Sequence, residues 1–106
     1  QAWQLKARDE EVVRLLSSGP ARHFLLDDRK GSLAVGKDAD FVVLEPGRFA
    51  YDPGKSLSAV HWSSFEGREF QVRVAATYQR GQAVFDGSQI LNPAGSGRFL
   101  RPAARG

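Results

Sequence analysis

The feature that most constrains this chain is a change of period. Phe70, Val72, Val74, Ala76 and Tyr78 share one parity, while Gln71, Arg73, Ala75, Thr77 and Gln79 share the other. That two-residue repeat predicts a strand with one apolar face. Arg80-Gly81 then supplies a turn, and residues 82–85 return as the second arm of a hairpin. Residues 41–44, Phe-Val-Val-Leu, are apolar on both parities, which predicts a central strand covered on both faces. Pro46, Gly47, Pro53 and Gly54 punctuate a loop between them.

Before residue 27 the pattern is helical. Asp9 suits an N-cap, Glu10 and Glu11 suit the positive first turn, and Val12, Val13, Leu15 and Leu16 gather on one side. Ser17, Ser18 and Gly19 are read as the stop, with Pro20 opening a second short helix over residues 21–26. The chain thus divides into a helical segment (1–26), a sheet-forming portion (27–87) and a Gly/Pro/Arg-rich tail (88–106) whose composition tolerates disorder. Three or four strands and two short helices leave an apolar face and strand edges without cover. Part of the fold is therefore expected to come from elsewhere, and a chain that opens "QAWQ" without Met reads as a fragment or a processed product.

Composition narrows the function classes. The chain has 106 residues, 42% apolar and 25% charged, within the globular range and sufficient for a modest core. Its apolar runs reach four residues, far short of the roughly 20 that span a bilayer, so a soluble, cytoplasmic protein without a membrane partner is expected. There is no cysteine, hence no disulfide and no thiolate ligand or nucleophile. The net charge of +3 resides in Arg98, Arg101 and Arg105 of the acid-free tail, because the first 87 residues balance twelve bases against twelve acids. One aromatic, Phe99, among those arginines favours a solvated or self-docking tail over a nucleic-acid arm.

The stretch "KGSLAVGKDADFVVLEP" (30–46) invites two chemical readings. Gly31, Gly36 and Lys37 match the glycine and lysine spacing of a phosphate-binding loop, but Asp38 stands where Ser or Thr should hold magnesium, and a strand follows instead of a helix. Asp38 and Asp40 could lie on one strand face, yet His23 and His61 sit in unrelated contexts and no His-x-His occurs. The two aspartates fit better as turn residues accepting backbone N–H groups. His61, beside Trp62, reads as a packed or surface residue without a partner that would make it a base. No serine lies in a Gly-x-Ser-x-Gly setting. The chain offers no catalytic, cofactor-binding or metal-binding residue.

Residues 17–46, "SSGPARHFLLDDRKGSLAVGKDADFVVLEP", resemble the C-terminal segment of the amidohydrolase superfamily, with its Gly-x-Leu-x-x-Gly-x-x-Ala-Asp turn at Gly31, Leu33, Gly36, Ala39 and Asp40. Residues 61–87, "HWSSFEGREFQVRVAATYQRGQAVFDG", are similar to the corresponding stretch of the cyclic amidohydrolases: dihydroorotases, allantoinases and hydantoinases. Gly19 and Ser64 depart from the usual Asn and Pro. The resemblance implies part of a composite β-sandwich plus the last helices of a metal-bearing (β/α)8 barrel, and the barrel, which needs about 250 residues, cannot be in this chain. It also implies a hydrolase of small cyclic amides, a divalent metal, zinc as the usual one, held by barrel residues, N-terminal strands and a barrel as partners, and a homo-oligomer. None of the family's metal ligands can be placed on this sequence, so the segment is expected to be inert alone. The alternative from a different class is a free-standing β-rich interaction module that dimerises through its sheet edges.

Overall fold

The computed structural model describes residues 8–57 and 59–104. A helical segment comes first, built of α1 (Asp9–Val13), a π-helical turn (Arg14–Ser18) and α2 (Gly19–His23). A long loop leads to β1 (Phe41–Ala50), a 3-10 turn (Pro53–Lys55), β2 (Glu69–Gln79) and β3 (Gln82–Phe85). The strands form one antiparallel sheet in the order β1-β2-β3. Ile90 adds an isolated antiparallel bridge to Phe85.

The expected break at Ser17-Ser18-Gly19 does not occur. Ser18 and Gly19 keep right-handed helical dihedrals, and the Gly19 N–H donates to the Arg14 carbonyl five residues back. Pro20 explains the widened turn. A proline inside a helix has no N–H to donate and presses its ring on the carbonyl four residues earlier, and a π turn just ahead of it relieves both problems. Gly19 is there for closeness, since a Cβ at that position would stand 2.5 Å from the Arg14 carbonyl oxygen. The N-cap is Arg8, not Asp9, and Asp9, Glu10 and Glu11 together fill the first turn. The helix ends at His23, short of the expected 26, because Leu25 turns left-handed at φ 59°. The part of the expected segment before residue 8 lies outside the described residues.

The hairpin is as the alternation predicts. Arg80 (φ 49°) and Gly81 (φ 80°) are both left-handed, the requirement of a type I′ turn. Two expectations about the sheet are corrected. β1 is an edge strand, with β2 at the centre, and Val42, Val43 and Leu44 remain substantially exposed instead of covered on both faces. Pro46 and Gly47 lie inside β1, not in a loop, because an edge strand with a register shift between Pro46 and Phe49 tolerates the missing N–H.

The single apolar face of β2 is also divided. Phe41 pairs with Tyr78 and Val43 with Ala76, but Leu44 pairs with Val74, so Ala75 is the extra residue of a bulge. Directly opposed residues share a face. Hence Ala76 and Tyr78 lie on one face, and Val74 and Val72, beyond the bulge, on the other. Stacked rings hold the register on either side, Phe41 on Tyr78 at 4.6 Å and Phe49 on Phe70 at 5.6 Å between centroids.

The core is smaller than the composition suggests. Among the described residues only Val12, Ala21 and Pro53 are buried, while Leu44, Val72 and Val74 stay 53%, 43% and 40% exposed. The radius of gyration is 15.8 Å, against about 13 Å for a compact globule of this length. The helical segment does not pack directly on the sheet, so the loops join the two. Among the described residues no helix is long and apolar enough to cross a membrane.

Candidate functional site

The loop between α2 and β1 carries the densest set of charged contacts. The Leu26 carbonyl accepts the Arg29 and Lys30 N–H groups at 3.1 and 2.8 Å, closing a turn just after the helix. Gly31, at φ 95°, lies so near the helix that a Cβ would fall 2.5 Å from the Ala21 Cβ, and its carbonyl accepts the Ser17 hydroxyl at 3.2 Å. The loop closes where the Asp38 N–H donates to the Arg29 carbonyl at 2.9 Å.

That closure brings two acids to two bases. Arg29 Nη2 reaches both Asp38 oxygens at 3.0 and 3.3 Å, and Lys30 Nζ lies 2.9 Å from Asp38 Oδ2 and also bonds Asp40 Oδ2. The other Asp40 oxygen accepts the Arg80 N–H at 2.8 Å, beside the Gly81 N–H bond to the Ala39 carbonyl at 2.9 Å. The Lys30 ammonium, then Arg29, hold the Asp38 carboxyl below its usual range. At Asp40 desolvation pushes upward, but Lys30 and the Arg80 N–H outweigh it and the net shift is downward. Lys30 itself loses some preference for its charged form through desolvation and regains more from the two carboxylates, ending above its ordinary value.

This arrangement bears on the readings of residues 30–46. Lys37, the lysine a phosphate loop would need, donates instead to Ser32 Oγ at 2.9 Å, and a carboxylate and a strand follow it. Asp38 and Asp40 are acceptors already engaged by cations and a backbone N–H, which leaves them poor bases and poor metal ligands. No group of three or more His, Asp or Glu placed to hold a metal ion occurs among the described residues. His61 is exposed in the loop before β2, and His23 meets Phe24 edge-to-face at 5.0 Å. The site is a clasp that binds the loop to the hairpin tip. Of the two aspartates expected to accept backbone N–H groups in their own turn, Asp40 accepts one from distant Arg80 and Asp38 meets side chains instead; Arg29, Lys30 and Arg80 were not legible as their partners. The available signal was two adjacent bases and two closely spaced acids flanking one glycine-bounded loop.

Asp86 makes a smaller arrangement of the same kind. It accepts the Ser88 and Gln89 N–H groups at 3.0 and 2.8 Å and the Ser88 hydroxyl at 3.1 Å, and these donors, Gln89 first, hold its carboxyl below the usual range. The tail that follows is tied at several points. The Leu91 N–H donates to the Val84 carbonyl at 2.9 Å, the Arg80 guanidinium to the Ser96 carbonyl at 2.7 Å, and the Ala103 N–H to the Leu25 carbonyl at 2.8 Å.

Known proteins resemble this chain in sequence and in fold. An allantoinase of Bacillus velezensis is 35% identical over 94 residues, 89% of this chain and 20% of its own length. A D-phenylhydantoinase of Escherichia coli is 37% identical over 93 residues, 87% of this chain and 20% of its own. A solved dihydropyrimidinase from Brevibacillus agri superposes with a TM-score of 0.89 at 28% identity, over 99% of this chain and 23% of that one. The chain spans about a fifth of the length of the relatives it matches. A continuous match of this kind to an enzyme's segment does not favour a free-standing sheet-edge module. A model described as the amidohydrolase family matches residues 6–85, and with these relatives it establishes that the chain belongs to the amidohydrolase family.

Proposed function

We propose that these residues are the C-terminal structural portion of a larger, metal-dependent hydrolase of small cyclic amides, allantoinase-like or hydantoinase-like, and that they do not catalyse by themselves. The observation that carries this reading is the match of nearly the whole chain to a fifth of enzymes named allantoinase and D-phenylhydantoinase. The sheet supports it. A face carrying Leu44, Val72 and Val74 at about half exposure, with three buried residues among those described, suits a part of a fold that other strands complete. On this reading residues 1–26 end a barrel-type domain, residues 27–87 form part of a sandwich, and residues 88–106 are its tail. The whole enzyme is cytoplasmic and homo-oligomeric.

The donors present here do not fit the zinc such a hydrolase would use. The paired carboxylates, Asp38 and Asp40, are engaged by Arg29, Lys30 and Arg80, and the histidines are not grouped with them. The metal's ligands belong to other parts of the larger enzyme. The test begins with the intact mass of the protein that carries these residues in its source cell. It continues with hydrolysis of hydantoin, allantoin and dihydroorotate by that protein and by the 106-residue chain, each supplied with zinc. Turnover by the longer protein alone is expected. Turnover by the 106 residues alone would overturn the inert role, and a native mass of 11.6 kDa would overturn the larger enzyme.

A further inference from the structure

The ties between the helical segment and the sheet converge on one residue. Arg80 donates its backbone N–H to Asp40, the acid that Lys30 grips at the end of the clasp, and its guanidinium to the Ser96 carbonyl in the tail. It does so from a left-handed conformation, φ 49°, that glycine or asparagine adopts more readily. A half-buried arginine at that turn position is accounted for by what its side chain holds. The tail leaves β3 through the Ile90 bridge and the Leu91 bond to Val84, is gripped at Ser96, and reaches the end of α2, where Ala103 bonds Leu25. Leu25 is the other left-handed residue that is not glycine among the described residues.

We infer that residues 88–104 are a strap, locked by the Arg80 guanidinium, that holds the end of α2 to the hairpin side of the sheet. Since no helix among the described residues packs on the sheet directly, the strap and the Lys30 clasp together set the placement of one against the other. Arg80 is a positioning residue shared by both ties. The inference uses only contacts within this chain and stands whether or not the hydrolase reading holds.

Arg80→Gly tests it in the intact protein, because glycine keeps the turn and the N–H to Asp40 while removing the guanidinium. Trypsin cleavage after the exposed Arg98 is expected to quicken about tenfold, the effect of losing one charge-assisted bond. Amide exchange at Ala103 and at Leu26, whose N–H bonds the Ala21 carbonyl at 2.8 Å, should quicken with it, while β2 and β3 amides keep their rates. Arg80→Lys, which retains a cationic donor, should recover part of the protection. Unchanged cleavage and Ala103 exchange in Arg80→Gly would overturn the lock. Release of Ala103 without any change at Leu26 would overturn the hold on the helix, and equal acceleration in β2 and β3 would show that Arg80 serves only the hairpin.

Discussion

The bulge at Ala75 divides the sheet into two regions that are held in different ways. On the helix side, around Phe41, Tyr78 and the Arg80 turn, the chain answers its own charges: Asp38, Asp40 and Arg80 meet partners within it. Beyond the bulge, Leu44, Val72 and Val74 present apolar surface with little to cover it. An ion pair needs only neighbours, which a loop of a dozen residues can supply. Apolar burial needs area, and three strands do not have enough of it. The first region pairs its charges within this chain, whereas the second leaves its apolar face open among the described residues.

The largest expected effect would break that contrast at its apolar side. Leu44→Ala in the 106-residue chain removes a side chain already 53% exposed, so a loss below about 1 kcal/mol is expected. In a longer protein whose other strands cover the face, the same change should cost about 2–5 kcal/mol. Urea unfolding of both forms measures the difference. Equal small losses would mean that the face stays bare.

Gly31→Ala should follow, at about 2–4 kcal/mol, since it adds backbone strain at φ 95° to a clash 2.5 Å from the Ala21 Cβ. The loss should fall on the helix side, seen as faster amide exchange at Asp38 and in α2 with the Phe49–Phe70 end spared. Asp40→Ala is expected to cost less, about 1–2 kcal/mol, by leaving Lys30 with Asp38 alone and the Arg80 N–H without its acceptor. If Asp40→Ala destabilised the chain more than Gly31→Ala, charge and not loop packing would be the stronger tie on that side.

How much of this was legible follows the range of each interaction. The hairpin could be read because its signal is local: alternation on both sides of an Arg-Gly turn. The division of β2 into two faces could not, because one extra residue at Ala75 is chosen by its partner strand, some thirty residues away in sequence. β1 reads as a buried central strand for the sound reason that Phe41, Val42, Val43 and Leu44 are apolar on both parities. Among the described residues no strand pairs with its outer edge, and no property of those four residues records whether one does. The continuous helix was hidden by Ser17, Ser18 and Gly19, which usually mark an end, whereas here a π turn lets the helix pass Pro20. In the clasp, Asp38 and Asp40 read as acceptors of backbone N–H groups in their own turn, but Asp38 meets the Arg29 and Lys30 side chains, and the Arg80 N–H that Asp40 binds lies forty residues on, within reach only once the hairpin is folded.

The smallest expected effect concerns acid. Asp38, Asp40 and Asp86 all have folded pKa values below the usual 3.8. A depressed carboxylate binds fewer protons folded than unfolded, so its stabilisation is full above about 3.8 and is lost as pH falls through the folded value. Lys30, raised above 10.5, acts in the opposite sense: its contribution is full below 10.5 and is lost at higher pH. Between these limits the four groups should leave stability flat. The Asp38→Asn, Asp40→Asn double variant separates the contributors, because Asp86 takes its donors from its own turn, at Ser88 and Gln89, and not from the clasp. Urea midpoints measured downward from pH 5 should therefore show a shallower acid limb in the double variant, and adding Asp86→Asn should flatten most of what remains. An acid limb unchanged by the double variant would mean that the clasp contributes nothing pH-dependent, and that its bonds serve only to fix the loop's path.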